Sequence, residues 1–172
     1  FEPDSFLILK VAKMRQMLTQ TDVRRLLDEP SAANRQDAAL KVASAYSAEE
    51  LSDDERNIAE DIIRVMTQDA EVRVRAALAE NLKEYSGLSH DIAKKLASDV
   101  DTVALPVIQF SDVLTDDDLL EIVHNDSTEK QTAVAGRAQV SEQVSEALVD
   151  TGKEEVVATL VSNDGAQISD KS

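Results

Sequence analysis

The side chains best suited to catalysis or metal binding are two histidines and a run of three aspartates. His90 stands in what reads as the first turn of a helix, and His124 stands at a helix end. Neither has a second histidine at the spacing by which one helix presents two ligands to a metal ion. We therefore expect neither histidine to be catalytic or to bind a metal.

The acidic run occupies residues 116–118, directly after Thr115. A calcium loop of the EF-hand type needs spaced oxygen ligands and a glycine at its sharp turn, and the run has neither. Negative charge in a first helical turn is stabilised by the helix dipole, so the run predicts a helix start. The sequence also contains no glycine-rich phosphate loop or nucleophile elbow. We predict a protein that is not an enzyme, with no catalytic, cofactor-binding or metal-binding residues.

Composition narrows the classes of partner. The 172 residues carry a net charge of −16, and aromatic residues make up 3% of them. A DNA glycosylase needs a basic face and aromatics around the base, so we expect no nucleic-acid partner. No apolar run is long enough to cross a bilayer, so we expect no membrane partner. The absence of cysteine fits a reducing compartment, and we predict a cytoplasmic protein.

A repeated pattern marks the helices that position these side chains. Each copy has an aliphatic residue, then serine or threonine, then acids or amides, then apolar residues at helical spacing. The hydroxyl is an N-cap, and Ser52 with Glu55 has the spacing of a capping box. Leu114 and Leu119 stand at the positions of a hydrophobic staple. The copies begin at Leu18, Leu51, Leu88, Leu114 and Val140, with a further start at Ile168.

A second helix follows each start after a short polar turn. We expect these helices over residues 31–46, 71–82, 102–113, 128–138 and 153–163. One helical hairpin cannot bury its apolar face alone, so consecutive hairpins must stack. The pattern predicts an all-α fold, an α-solenoid of about five helical hairpins.

Polar residues recur near the ends of the second helices, where Asn81, Ser111, Arg137 and Asn163 fall in one column. Two interpretations stay open: a ladder that contacts a partner, or capping and bracing between repeats. These four residues and Arg73 are the candidates for partner binding. Phe110 and Ile108, in the second helix after residue 101, read either as groove residues or as side chains packed between repeats.

The stretch DAEVRVRAALAENL, residues 69–82, resembles a HEAT repeat through Asp69, Val74, Arg75 and Leu82. In HEAT-like units an arginine at the position of Arg75 commonly pairs with the acid in the turn, here Asp69. The resemblance therefore implies an ion pair between these two residues and a HEAT-like right-handed stack.

A second resemblance rests on VALPVIQFSDVLTDDDLLEIV, AVAGRAQVSEQVSEALVDTG and VVATLVSNDGAQIS. These stretches are similar to an uncharacterised, mostly alphaproteobacterial family known only as a domain of unknown function. The resemblance extends over roughly residues 18–169 and implies a HEAT-like solenoid without implying an activity. We expect residues 1–17 to be an extension or an extra helix. We expect residues 18–172 to be one repeat domain that stops before a further repeat.

Pro106 lies within a predicted second helix. Proline is tolerated in a first helical turn, where its missing N–H costs nothing, and Pro106 lies slightly beyond that turn. We expect a late helix start or a local kink near residues 103–106, and not a broken helix.

The repeat and the charge together favour a non-catalytic scaffold that binds a protein along a concave face formed by the second helices. Residues 112–172 carry 14 Asp/Glu against 4 Lys/Arg, which favours a partner with a basic surface. The alternative is a regulatory or sensory module that binds a small ligand between repeats or controls an attached domain. An enzyme whose site has no recognisable motif is a third hypothesis.

Overall fold

The computed structural model describes residues 18–48 and 51–169, and the N-terminal extension predicted for residues 1–17 lies outside them. Within these ranges the chain forms ten helices and no strand. It divides into two compact units, residues 1–82 and residues 83–172. The all-α prediction is confirmed for the described residues. None of their helices combines the length and the apolar character that a membrane span requires.

The N-terminal unit contains two helical hairpins. The second helix of the first hairpin packs against both helices of the second hairpin. Its core is built from small and aliphatic side chains around Tyr46, whose hydroxyl donates to a Glu60 carboxylate oxygen at 2.7 Å. The helices are α1 (Gln20–Asp28), α2 (Ala32–Ser47), α3 (Asp53–Met66) and α4 (Val72–Leu82).

The C-terminal unit contains three helical hairpins. Their second helices form one layer, in which α8 packs between α6 and α10, and the first helices α7 and α9 pack together. The helices are α5 (His90–Ala97), α6 (Asp101–Phe110), α7 (Asp116–Asn125), α8 (Thr128–Ala135), α9 (Glu142–Asp150) and α10 (Glu154–Val161).

The five predicted helix starts from Leu18 to Val140 are confirmed, because the hydroxyl residue of each stands at an N-cap. Ser52 and Glu55 form the expected capping box, and Thr115 forms another with Asp118. Leu114 and Leu119 are both buried, as expected for a staple. The N-caps of the first helices are Thr19, Ser52, Ser89, Thr115 and Ser141.

Pro106 lies inside a continuous helix, so the prediction that the helix is not broken is confirmed. The alternative of a late start is wrong, because Val100 is the N-cap and α6 begins at Asp101. Pro106 is therefore well past the first turn, and α6 accommodates it without ending.

The second helices α6, α8 and α10 end earlier than predicted, at Phe110, Ala135 and Val161. The predicted start at Ile168 would place its helix at residues 170–172, which lie outside the described residues. Residues 167–169 are not helical. Just before them, an isolated parallel β-bridge joins Ala166 to Val140.

Candidate functional site

Arg137 lies two residues beyond the end of α8, and its side chain reaches back to the preceding hairpin. Its two terminal guanidinium nitrogens donate to the backbone carbonyls of Ile108 and Ser111, the second at 2.8 Å. The last carbonyls of a helix have no partner within the helix and carry partial negative charge. Arg137 therefore caps the C-terminus of α6 from the next repeat.

Asn163 repeats this arrangement one hairpin later, two residues beyond the end of α10. Its side-chain amide donates to the carbonyls of Ala135 at 2.8 Å and Arg137 at 2.7 Å. Its carbonyl oxygen accepts from the backbone N–H of Gly165 at 2.9 Å. Each of these column residues thus braces the end of the second helix one repeat earlier, which is the bracing interpretation of the column.

The other members of the predicted partner-binding set lie in different settings. Asn81 donates to the carbonyl of Ala77 within its own helix, at 2.8 Å. Ser111 is buried, and its hydroxyl oxygen accepts a long bond from the N–H of Val113. Arg73 is exposed on α4. Within the C-terminal unit the three column residues are linked in a chain, because Arg137 donates to the carbonyl of Ser111 and Asn163 donates to the carbonyl of Arg137. Partner contact by the column residues and by Arg73 stays a prediction.

Arg75 contacts Asp69 as the resemblance implies, and its charge helps to lower the pKa of the Asp69 carboxyl, but Arg35 also binds that carboxylate. Arg75 donates to the backbone carbonyl of Asp69 at 2.6 Å. Both carboxylate oxygens of Asp69 accept from Arg35 of the preceding hairpin, at 2.7 and 3.1 Å. The hydrogen bond from Arg35 lowers the pKa of the Asp69 carboxyl, and burial acts in the opposite direction. The sequence pattern missed Arg35 because it lies 34 residues from its partner.

The prediction that residues 116–118 begin a helix is confirmed. Asp118, the third of these aspartates, makes further contacts. Asp118 is buried and accepts from the backbone N–H and hydroxyl of Thr115. Its carboxylate also lies 2.6 Å from His90 and 3.2 Å from Lys94 on α5. Burial raises the pKa of Asp118, but the hydrogen bonds from His90, Thr115 and Lys94 outweigh it and hold that pKa well below its usual range. These contacts make Asp118 a tie between α5 and α7.

His124, on the same helix α7, is exposed. The described residues hold no cluster of three or more His, Cys, Asp or Glu side chains suited to a metal ion.

A cleft of about 500 Å³ lies beside Arg137 in the C-terminal unit. Phe110 is 47% exposed at this cleft, whereas Ile108 is fully buried. The exposed carboxylates of Asp112 and Asp116 also line it. The remaining lining residues are Gln109, Leu114, Leu119, Arg137, Ala138, Gln139, Val140, Ser141 and Gln167.

The segment after α10 forms one edge of this cleft. The backbone N–H of Val140 donates to the carbonyl of Gly165 at 3.1 Å, and the N–H of Gln167 donates to the carbonyl of Val140 at 2.9 Å. A Cβ atom at Gly165 would lie 1.9 Å from the carbonyl oxygen of Ala138. Only glycine allows this close approach, so Gly165 sets where Gln167 meets the cleft.

Arg137 is a buried cation whose hydrogen bonds go to neutral backbone carbonyls. The residue is 9% exposed, and its Nε has no hydrogen-bond partner within the described residues. Burial lowers the pKa of the guanidinium, and the charges of Asp112 and Asp116 act in the opposite direction. The cleft therefore combines two exposed carboxylates, an exposed aromatic ring and a buried cation.

The N-terminal unit contains an apolar groove of about 440 Å³. At one end stands the ion pair of Arg35 with Asp69, and Val65 on its wall is 72% exposed. Sequence reasoning missed this groove, because an apolar residue in a helical pattern reads as core until its neighbours are known. The groove is lined by Leu26, Arg35, Ile58, Asp61, Ile62, Val65, Met66 and Asp69.

The fold and these sites define an all-helical protein built from consecutive helical hairpins. The model of a family described as an uncharacterised protein conserved in bacteria (DUF2336) matches residues 103–172. That range contains every residue that lines the cleft. No curated protein and no solved structure matches the chain.

Proposed function

We propose that this protein is a non-catalytic scaffold, a HEAT-like helical solenoid that binds a protein partner. The observation that carries the proposal is the cleft in the C-terminal unit, where Phe110 stands 47% exposed between charged and amide side chains. Aromatic side chains contribute strongly to protein interfaces because one ring buries a large area at small entropic cost.

The repeated bracing supports the solenoid part of the proposal. Arg137 and Asn163 bind carbonyls at the end of the preceding second helix, so each hairpin holds the next in a similar register. Such stacking gives repeat proteins a surface whose exposed side chains differ while the framework stays the same. Binding functions fit this arrangement because surface residues can vary without disturbing the braces.

Affinity capture with the tagged chain, at low and at high salt, tests the proposal. We expect a protein partner that binds the purified chain directly and dissociates as salt screens its charges. The variant Phe110→Ala should weaken this binding. As a control, Val161→Ala removes an exposed apolar side chain from α10, where Val161 is 67% exposed. Absence of any direct protein partner, or equal loss in both variants, would count against the scaffold function at this cleft.

The apolar groove in the N-terminal unit favours a second candidate function, a regulatory module that binds a small apolar ligand. A ligand that binds only the folded chain raises its melting temperature, so a thermal-shift screen of apolar compounds tests this candidate. A hit should lose its effect in Ile62→Glu, which places a charge in the groove wall. Stabilisation that persists in this variant would place the ligand elsewhere.

A further inference from the structure

The cleft has a chemical character that specifies its occupant more closely than general protein binding does. Its exposed charges are the carboxylates of Asp112 and Asp116. Ser86 donates to one oxygen of Asp112 at 2.7 Å, which orients that carboxylate. Asp116 is the first residue of α7, where the helix dipole stabilises its negative charge. Both carboxylates are therefore positioned at the cleft.

Apolar surface accompanies the two carboxylates. Leu114, Leu119 and Val140 lie buried in the cleft wall, and the ring of Phe110 is partly exposed. The Nζ of Lys83 lies 4.8 Å from the centroid of that ring. Lys83 therefore occupies one face of the Phe110 ring, and a partner's side chain would contact the part of the ring that is left exposed.

Arg137 offsets part of the negative charge of Asp112 and Asp116, but its guanidinium is buried while the two carboxylates are exposed. Its terminal nitrogens donate to the carbonyls of Ile108 and Ser111, and the residue is 9% exposed. Its Nε has no partner within the described residues but is buried, so it offers no donor to an occupant of the cleft. A lysine or arginine side chain matches the two exposed carboxylates, because its cationic head donates and they accept.

The net charge of the whole C-terminal unit also favours a basic partner. Residues 83–172 carry 18 Asp/Glu against 7 Lys/Arg. A strongly negative unit attracts basic partners and accelerates their encounter, most of all at low salt.

We propose that the cleft binds a lysine or arginine side chain of a protein partner, which rests on the proposed scaffold function. The cationic head contacts Asp112 and Asp116, and the aliphatic stem lies against Phe110 and Leu114. Long basic side chains bury their stems on apolar surface while the head stays with polar groups, which this cleft permits.

The probes for the test are a tetralysine peptide and its fully acetylated counterpart, titrated into the whole ¹⁵N-labelled chain and followed by NMR. We expect tetralysine to shift the amides of residues 109–119, 137–141 and 167, and the acetylated peptide to shift none of them. Replacing both cleft carboxylates in D112N/D116N should weaken tetralysine binding about tenfold. The control E142Q/D150N removes the same charge from α9 and should change binding less than about twofold.

A second pair of variants protects the test against a folding defect. Asp116 and Glu142 are each the first residue of their helix, so D116N and E142Q carry matched helix-dipole costs. Circular dichroism should show both folded, with tetralysine binding weakened only in D116N. Equal weakening in the two variants, binding of the acetylated peptide, or shifts confined to other residues would overturn the cleft proposal.

The two proposals fail differently. If D112N/D116N still captures the same protein partner with undiminished affinity, the scaffold function stands and the cleft proposal is overturned. If the wild-type chain captures no partner directly, the scaffold function itself is refuted.

Discussion

In the N-terminal unit, carboxylates tie the second hairpin to the first. In the C-terminal unit, the carboxylate of Asp118 joins the first helices α5 and α7, whereas the segments after the second helices bind neutral backbone carbonyls of the preceding hairpin. Arg35 donates to both carboxylate oxygens of Asp69, and the hydroxyl of Tyr46 donates to Glu60. In the C-terminal unit, Arg137 and Asn163 donate instead to carbonyls at helix ends. The first kind of tie depends on the ionisation of an acid, and the second depends on the acceptor geometry of a helix terminus.

The difference matters for both stability and function. An ion pair with partial exposure contributes modestly and is screened by salt. A buried donor that satisfies two helix-end carbonyls is costly to remove, because the carbonyls then stay desolvated without a partner. The C-terminal unit therefore relies on its braces more than the N-terminal unit relies on any single charge pair.

The largest effect is expected for Arg137→Ala. The change removes the donors to Ile108 and Ser111, and it should lower the free energy of unfolding by about 2–4 kcal/mol. Amide hydrogen exchange should show the loss within residues 83–172. Arg137→Lys keeps the charge without the two-nitrogen fork and should lie between wild type and alanine. A change below about 0.5 kcal/mol would show that the brace contributes little, because surface substitutions already have effects of that size.

A smaller effect is expected for Asn163→Ala, which removes two neutral hydrogen bonds to Ala135 and Arg137. The free energy of unfolding should fall by about 1–2 kcal/mol, measured by urea denaturation. Asn81→Ala is the control, because its amide donates to the carbonyl of Ala77 within its own helix and not to a neighbouring hairpin. Equal losses at the two positions would contradict the assignment of Asn163 as a brace between hairpins.

Lowering the pH should distinguish a tie made by a carboxylate from a tie made by a neutral amide. In the N-terminal unit, hydrogen bonds from Lys41 and Thr19 lower the pKa of Asp22 to about 2. A lowered carboxyl pKa contributes stability above its unfolded value, near 3.9, and that stability is lost as pH falls through the folded value. The stability gap between wild type and Asp22→Asn should therefore narrow as pH falls from about 4 to about 2.

Urea denaturation at several pH values in that window measures the gap. The gap between wild type and Asn163→Ala should stay constant over the same range, because an amide does not titrate. A constant gap for Asp22→Asn would show that the pair with Lys41 contributes no pH-dependent stability.

Local signals made the helix starts predictable. The hydroxyl N-caps, the Ser52–Glu55 box and the staple at Leu114 each involve residues at most five positions apart, so their spacing carries the information. The repeat then predicted the hairpins, because each start recurs with the same apolar pattern behind it.

The contacts of the candidate sites are long-range, and the sequence holds no local trace of them. Arg137 reaches carbonyls 26 and 29 residues earlier, and Arg35 takes an acid 34 residues later. The end of α8 was predicted less well, because the helix stops at Ala135 with Gly136 as its C-cap although the helical pattern continues. The exposure of Phe110 beside the buried Ile108 follows from packing of neighbouring hairpins, so periodicity left both interpretations open.

The smallest change in the free energy of unfolding is expected at two serines that have similar sequence contexts, Ser52 in the N-terminal unit and Ser89 in the C-terminal unit. The Ser52 side chain accepts from the N–H of Glu55, whereas the Ser89 side chain makes no capping bond. Ser52→Ala should lower the free energy of unfolding by about 1 kcal/mol, and Ser89→Ala by only a few tenths. Urea denaturation of both variants measures the difference. Equal costs would mean that Ser89 caps α5 in solution, and the two units would then begin their helices in the same way.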